Sequence, residues 1–107
     1  MFITDKMFFQ GMDIQITEER LVKYFSVTKK AMDIIKILPP EKTHLRKAAD
    51  DFFDMAKRYY NDAVHFKNDD RWVDAFAALN YAHGWLDAGA RLGLFDVQHN
   101  SELFTVD

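Results

Sequence analysis

The sequence predicts an all-α protein, an up-and-down three-helix bundle onto which an additional N-terminal segment can pack. Three observations lead there. The double proline Pro39–Pro40 and the polar run from Lys67 to Arg71 divide the chain into three long amphipathic stretches joined by short connections, the pattern of antiparallel neighbouring helices. Aromatic residues make up 15% of the 107 while Gly and Pro number only four and two, a balance that suits packed helices better than a sandwich of many turns. Leu45, Phe52, Tyr59 and Phe66 recur every seventh residue, with Ala49, Ala56 and Ala63 in the other seam position, as in a bundle seam.

The first sixteen residues show no period and mix Phe2, Ile3, Met7, Phe8 and Phe9 with Gly11. Met7 and Met12 are alternative starts. An apolar segment of this kind left in water is an aggregation hazard, so it is expected to cover a groove of its own chain or a partner chain.

The first helix is placed from Thr17 to Leu38. Thr17 is a good cap, Glu18 and Glu19 suit the positive end of the helix dipole, and Leu21, Phe25, Thr28, Met32 and Ile35 share one face. Pro39 stops it, because the residue before a proline is driven out of the α region. The second helix is placed from Pro40, in its first turn, to Lys67. Its outer row, Arg46, Asp50, Asp54, Arg58 and Asp62, offers modest ion pairs. Asp69 or Asp70 caps the third helix, which runs to Leu92; Gly93 fits the left-handed position past a helix end, with Leu94 folding back. Residues 96–107 read as polar and loose apart from Leu103 and Phe104. The domain is expected over 12–96, with 1–11 as an extension and 97–107 as a tail.

Charge and composition narrow the function. A net charge of −3 with no basic block argues against a general nucleic-acid binder. With no cysteine, thiolate chemistry and Cys-based metal sites are excluded, and a reducing compartment fits. Neither a signal-peptide pattern nor an apolar run of membrane-spanning length is present, so a cytoplasmic protein with no membrane attachment is expected.

The third helix holds the residues with chemistry. In "NYAHGWLDAGARLGLF", residues 80–95, Asn80, His83, Asp87 and Arg91 fall on one side of a wheel drawn at about 100° per residue, beside Gly84. The other side is Ala75, Ala78, Ala82, Leu86 and Gly89, which makes this the most buried helix. Each interior glycine costs roughly 1 kcal/mol against alanine, an amount to be offset by close contact with a neighbouring helix or a ligand. The polar strip reads first as the wet edge of a packed helix, with His83–Asp87 and Asp87–Arg91 spaced four apart. Its functional reading has Asp87 orienting His83, Arg91 meeting an anion and Asn80 hydrogen-bonding a substrate. The pairs Asp62/His65 and Asn80/His83 echo di-iron bundles only faintly, because the glutamates are missing. The acids Asp50, Asp51 and Asp54 read as a solvated face. No metal and no cofactor is implied, and no Ser–His–Asp set or Gly-rich phosphate loop is discernible.

The run from Asp69 to Phe95 resembles the C-terminal signature of a small archaeal family catalogued as a domain of unknown function, number 357. The residues that carry the resemblance are Ala75, Asn80, Tyr81, Gly84, Trp85, Leu86, Asp87, Ala88, Arg91, Leu92 and Gly93. It implies a compact three-helix bundle in an archaeal cytoplasm, with no assigned activity and no catalytic residue to carry over. A weaker resemblance is to HEPN-type helical domains, some of which cleave RNA with an Arg followed four to six residues later by a His. Here seven residues separate Arg91 from His99 and Gly93 interrupts the helix.

The leading functional expectation is a non-enzymatic module acting through protein contacts, as a homodimer or with a protein partner, with Trp72, Trp85, Phe8 and Phe9 as its interface. The alternative is a small-molecule or nucleotide site built from Asn80, His83, Asp87 and Arg91.

Overall fold

A computed structural model of the protein describes residues 16–104. Three helices and a two-stranded ribbon follow one another along the chain: α1 (Glu18–Ile34), β1 (Lys36–Ile37), α2 (His44–Asn68), α3 (Trp72–Arg91) and β2 (Phe95–Asp96). The protein is thus an all-α bundle in which α2 and α3 pack closely, and α1 lies against α3.

The three helices begin and end for local reasons. Thr17 caps α1 through its side-chain oxygen, which accepts from the Arg20 amide. α1 ends at Ile34, four residues before the boundary expected at Leu38. Ile35 turns extended, and Lys36 and Ile37 pair with Asp96 and Phe95 in an antiparallel ladder, extended by Leu38 N–H to the Leu94 carbonyl. Two β-branched residues, Ile35 and Ile37, favour that conformation, and the returning C-terminal segment supplies the partner.

α2 starts at His44, not at Pro40. Thr43 is its cap, accepting from the Arg46 amide and donating to the Pro40 carbonyl, so the prolines form the loop and not the first turn. The cap expected of Asp69 or Asp70 is also absent. Asp69 closes α2, Asp70 takes a left-handed φ of 59°, and Arg71 precedes α3 with no side-chain cap. Arg71 instead pairs with Asp74 in the first turn.

The end of α3 follows the expectation. Gly93 has φ +77°, its amide donates to Ala90, and the Leu94 amide donates to Gly89, the double bond of a Schellman motif. Leu94 is buried as that motif requires.

The core has two parts. At the α2–α3 turn end, Leu21, Ala63, Ala75, Ala78 and Leu79 pack together, with Ile16, Tyr24 and Phe25 against them. At the ribbon end, Ala31, Ala49, Ala56 and Leu86 meet Leu94, Phe95, Val97 and Phe104. The last four come from the segment after α3. Residues 94–104 therefore fold back onto the bundle and include buried Val97, which the expectation of a loose polar tail had not covered. Burying a side chain of Phe or Leu size contributes about 1.5–3 kcal/mol, enough to hold such a segment down.

α3 carries six buried residues, all from its small and apolar face, against three each on α1 and α2. The alanine seam of α2 (Ala49, Ala56, Ala63) is fully buried, with Phe52, Tyr59 and Phe66 beside it half-buried. Leu45, placed by its spacing in that same seam, is 63% exposed at the first turn of α2.

Candidate functional site: the α1–α3 groove and the ribbon end

α3 presents its polar strip toward α1. There a groove of about 270 Å³ is lined by Tyr24, Val27 and Thr28 of α1 and by Leu79, Asn80, His83, Gly84 and Asp87 of α3. Three of the four strip residues thus share one concavity. Arg91 is the exposed last residue of α3, one turn beyond Asp87, and is not in the lining. The spacing places them so because residues three and four apart on a helix share a face.

His83 has a structural task within the groove wall. Its Nε2 meets the Leu103 carbonyl oxygen, and its ring lies 5.9 Å from that of Phe104, tilted by 34°. A carbonyl only accepts, so Nε2–H is the donor and Nδ1 carries the lone pair in the neutral ring. His83 therefore pins the returning C-terminal segment. That segment is further braced by Asn100, whose side-chain oxygen accepts from the Glu102 and Leu103 amides.

The two interior glycines of α3 differ. A Cβ on Gly89 would strike the ring of Phe95, so that glycine admits β2, not a neighbouring helix. A Cβ on Gly84 would meet nothing within 4 Å among the described residues; the glycine lies in the open floor of the groove.

The aromatic residues expected at an interface are placed as follows. Trp72 opens α3, half-buried against the turn-end core. Trp85 is half-buried against the ribbon-end core, with its ring 5.0 Å from Phe52 in an edge-on pair. Phe8 and Phe9 lie outside the described residues. Among the described residues no group of three His, Asp or Glu side chains is arranged to hold a metal ion, and no helix is long and apolar enough to cross a membrane.

A second surface was not legible from periodicity. Leu38, Leu45 and Leu92 are 54%, 63% and 67% exposed, and all three stand at the ribbon end of the bundle. Leu38 follows β1 and bonds to Leu94, Leu92 is two residues before that partner, and Leu45 is in the first turn of α2. Helical spacing assigned Leu45 to the core and ended a helix at Leu38; only the early stop of α1 and the ribbon bring these leucines out together.

Comparison with known proteins adds the family but no activity. A family model described as "Protein of unknown function (DUF357)" matches residues 23–95. No curated protein and no solved structure matches the chain. The matched span holds most of α1, all of α2 and α3, the groove between α1 and α3, and the three exposed leucines. Because the match takes in well over half of the 107 residues, the chain belongs to the DUF357 family of proteins of unknown function.

Proposed function

We propose that the chain is a non-enzymatic protein-contact module that assembles with a second copy of itself through the ribbon end. The observation that carries the reading is Leu45, a seam residue of α2 left 63% exposed at the same end of the bundle as the exposed Leu38 and Leu92. Single exposed leucines are ordinary, whereas several gathered at one end of a small bundle mark a contact surface. A two-fold pairing is the simplest closed arrangement, since the same patch then faces itself. Trp72 and Trp85 contribute less in this reading, because both already pack against the core. A cytoplasmic, reducing setting accords with a chain that has no cysteine. Light scattering of the full chain and of a Leu45→Glu, Leu92→Glu variant tests the proposal.

A small-molecule site on Asn80, His83, Asp87 and Arg91 is the second reading. It is favoured by the groove that three of them line. It is weakened by the commitment of His83 Nε2 to the Leu103 carbonyl and by the position of Arg91 outside the lining. Retention of assembly after His83→Ala and Asp87→Ala, with no gain of stability from any metal or nucleotide, favours the first reading over this one.

A further inference from the structure

The three ribbon-end leucines are too small a surface to hold two chains together unaided. A leucine side chain offers on the order of 100 Å², so three supply about 300 Å² at most, whereas a stable contact covers roughly 800 Å² on each partner. We propose that the contact runs on along α2: the α2 helices of two copies pack side by side and antiparallel, with the two-fold axis near Met55. This rests on the assembly reading above and names the surface that such an assembly uses.

The apolar surface of α2 continues in that direction. At about 100° per residue, Leu45, Ala48, Phe52, Met55 and Tyr59 fall within an arc of about 80°. All five are half-buried or exposed, and no charged residue lies in that arc between Leu45 and Tyr59.

α3 edges the same face. Trp85 lies edge-on to Phe52, and Tyr81, 46% exposed, stacks on Tyr59. Leu45 precedes Phe52 by seven residues and Leu92 follows Trp85 by seven. On antiparallel neighbours the two steps run the same way, so both leucines extend this row toward the ribbon end. On the α3 wheel Tyr81, Trp85 and Leu92 lie about 120° or more from His83 and Asp87, so the face is separate from the groove toward α1.

The solvent side of the α2 arc selects a second copy of this chain. Lys47, Asp51, Arg58 and Asp62 are exposed and share an arc of about 60°, and their charges alternate in sign. The strip is symmetric about the midpoint between Asp54 and Met55: Lys47 and Asp62 are equidistant from it, and so are Asp51 and Arg58. Turning a copy of α2 about that point sets each Lys47 against Asp62 of the second copy and each Asp51 against Arg58. A parallel copy in register sets like charges together instead.

Charged rims of this kind fix partner and orientation in helix pairs, while the apolar seam between them supplies the contact. A strip of one sign would call for a partner of the other sign; an alternating, symmetric one fits itself. Each Leu45 is then covered by the far half of α2 of the second copy. Arg58 already holds Asp54 within its own chain, so the outer pair, Lys47 and Asp62, makes the cleaner test.

The full chain is prepared as Lys47→Asp, as Asp62→Lys and as both together, and dimer dissociation is followed by light scattering at about 0.15 M salt. Within one chain the two residues are fifteen apart, roughly 22 Å along α2, well beyond the ~8 Å screening length, so they couple only between chains. Each single variant is expected to raise the dissociation constant about tenfold, because it sets like charges together twice per dimer. The double variant swaps every pair and should return to within about threefold of the parent. Net charge alone acts differently: starting from −3, Lys47→Asp makes the chain more acidic and Asp62→Lys less so, which would weaken one dimer and strengthen the other. Both positions are exposed, so the helical circular dichroism should stay that of the parent in all three variants. Single variants that dimerise like the parent, losses that add in the double variant, or effects that follow net charge overturn the antiparallel α2 contact, and a parent dimer then assembles through another surface. A parent that stays a single chain overturns this contact and the assembly reading together.

Discussion

The ring of Phe95 occupies the space that a side chain on Gly89 would need. Phe95 is itself 3% exposed and lies edge-on to Phe53, so it cannot retreat without disturbing the ribbon-end core. Gly89→Ala gains about 1 kcal/mol of helix propensity. Against that, forcing a methyl into a close-packed site costs typically about 1–3 kcal/mol, more where the overlap is this direct. The expected result is a net loss on the order of 2 kcal/mol by urea denaturation. Gly89→Ala combined with Phe95→Leu should lose less than the sum of the single variants, since the two sites share one space. Additive losses would show that the ring moves aside freely.

Gly93 tests the close of α3. Its φ of +77° disfavours any residue with a Cβ. Gly93→Ala should lower stability by about 1–2 kcal/mol through backbone strain alone, since no described atom lies within 4 Å of the added Cβ. Gly93→Asn should recover part of the loss, because asparagine tolerates this conformation better.

Thr43 tests the start of α2. Its hydroxyl oxygen lies 3.1 Å from the Arg46 amide and 2.7 Å from the Pro40 carbonyl. Thr43→Ala should cost about 1 kcal/mol, the usual value of a lost cap, and Thr43→Ser should restore most of it. Equal losses for both variants would show that the methyl, not the hydroxyl, matters.

His83 tests the hold on the C-terminal segment. His83→Ala removes the donor to the Leu103 carbonyl and the ring beside Phe104. Amide exchange at Leu103 and Phe104 should quicken well before that of Ala78 and Leu86 in the middle of α3, because the loss is local. Nitrogen NMR of the wild-type ring should find the proton on Nε2. A neutral ring with its one proton on Nδ1 would contradict the assigned bond.

Lys29 sets a small pH effect. Its ammonium is held above the ordinary lysine value, first by the hydrogen bond to Asp33 and then by that carboxylate's charge. A raised folded-state value means that the contribution is complete below the unfolded lysine value and is lost as pH rises through the folded one. Both side chains are more than half exposed, so the loss should be slight and should shrink with salt. Asp33→Asn should abolish this alkaline dependence and should lose the same slight amount of stability at pH 7, where the contribution is complete.

Most of the helical architecture was legible because periodicity reports burial directly. The alanine seam of α2 and the small face of α3 are buried where their spacing puts them. The Gly93–Leu94 motif was legible for a different reason, since only a glycine fits a left-handed position cheaply. The ribbon was not legible. Two-residue strands carry no period, and the pairing of Ile37 with Phe95 joins residues far apart in sequence. The exposure of Leu45 was not legible either, because a seven-residue repeat marks a face of α2 without saying what lies opposite it. In the groove, helical spacing put Asn80, His83 and Asp87 together, while the α1 wall of Tyr24, Val27 and Thr28 depended on how α1 crosses α3. Spacing on one helix does not carry that information.

Assembly through the ribbon end is tested most directly by light scattering across a wide concentration range, on the full chain and on the Leu45→Glu, Leu92→Glu variant. Both leucines are largely exposed, so the charged variant should keep the helical circular dichroism of the parent. The account predicts twice the 12.6 kDa chain mass for the parent at high concentration and the single-chain mass for the variant throughout. A parent that stays at the single-chain mass, or a variant that dimerises as well as the parent, would contradict it.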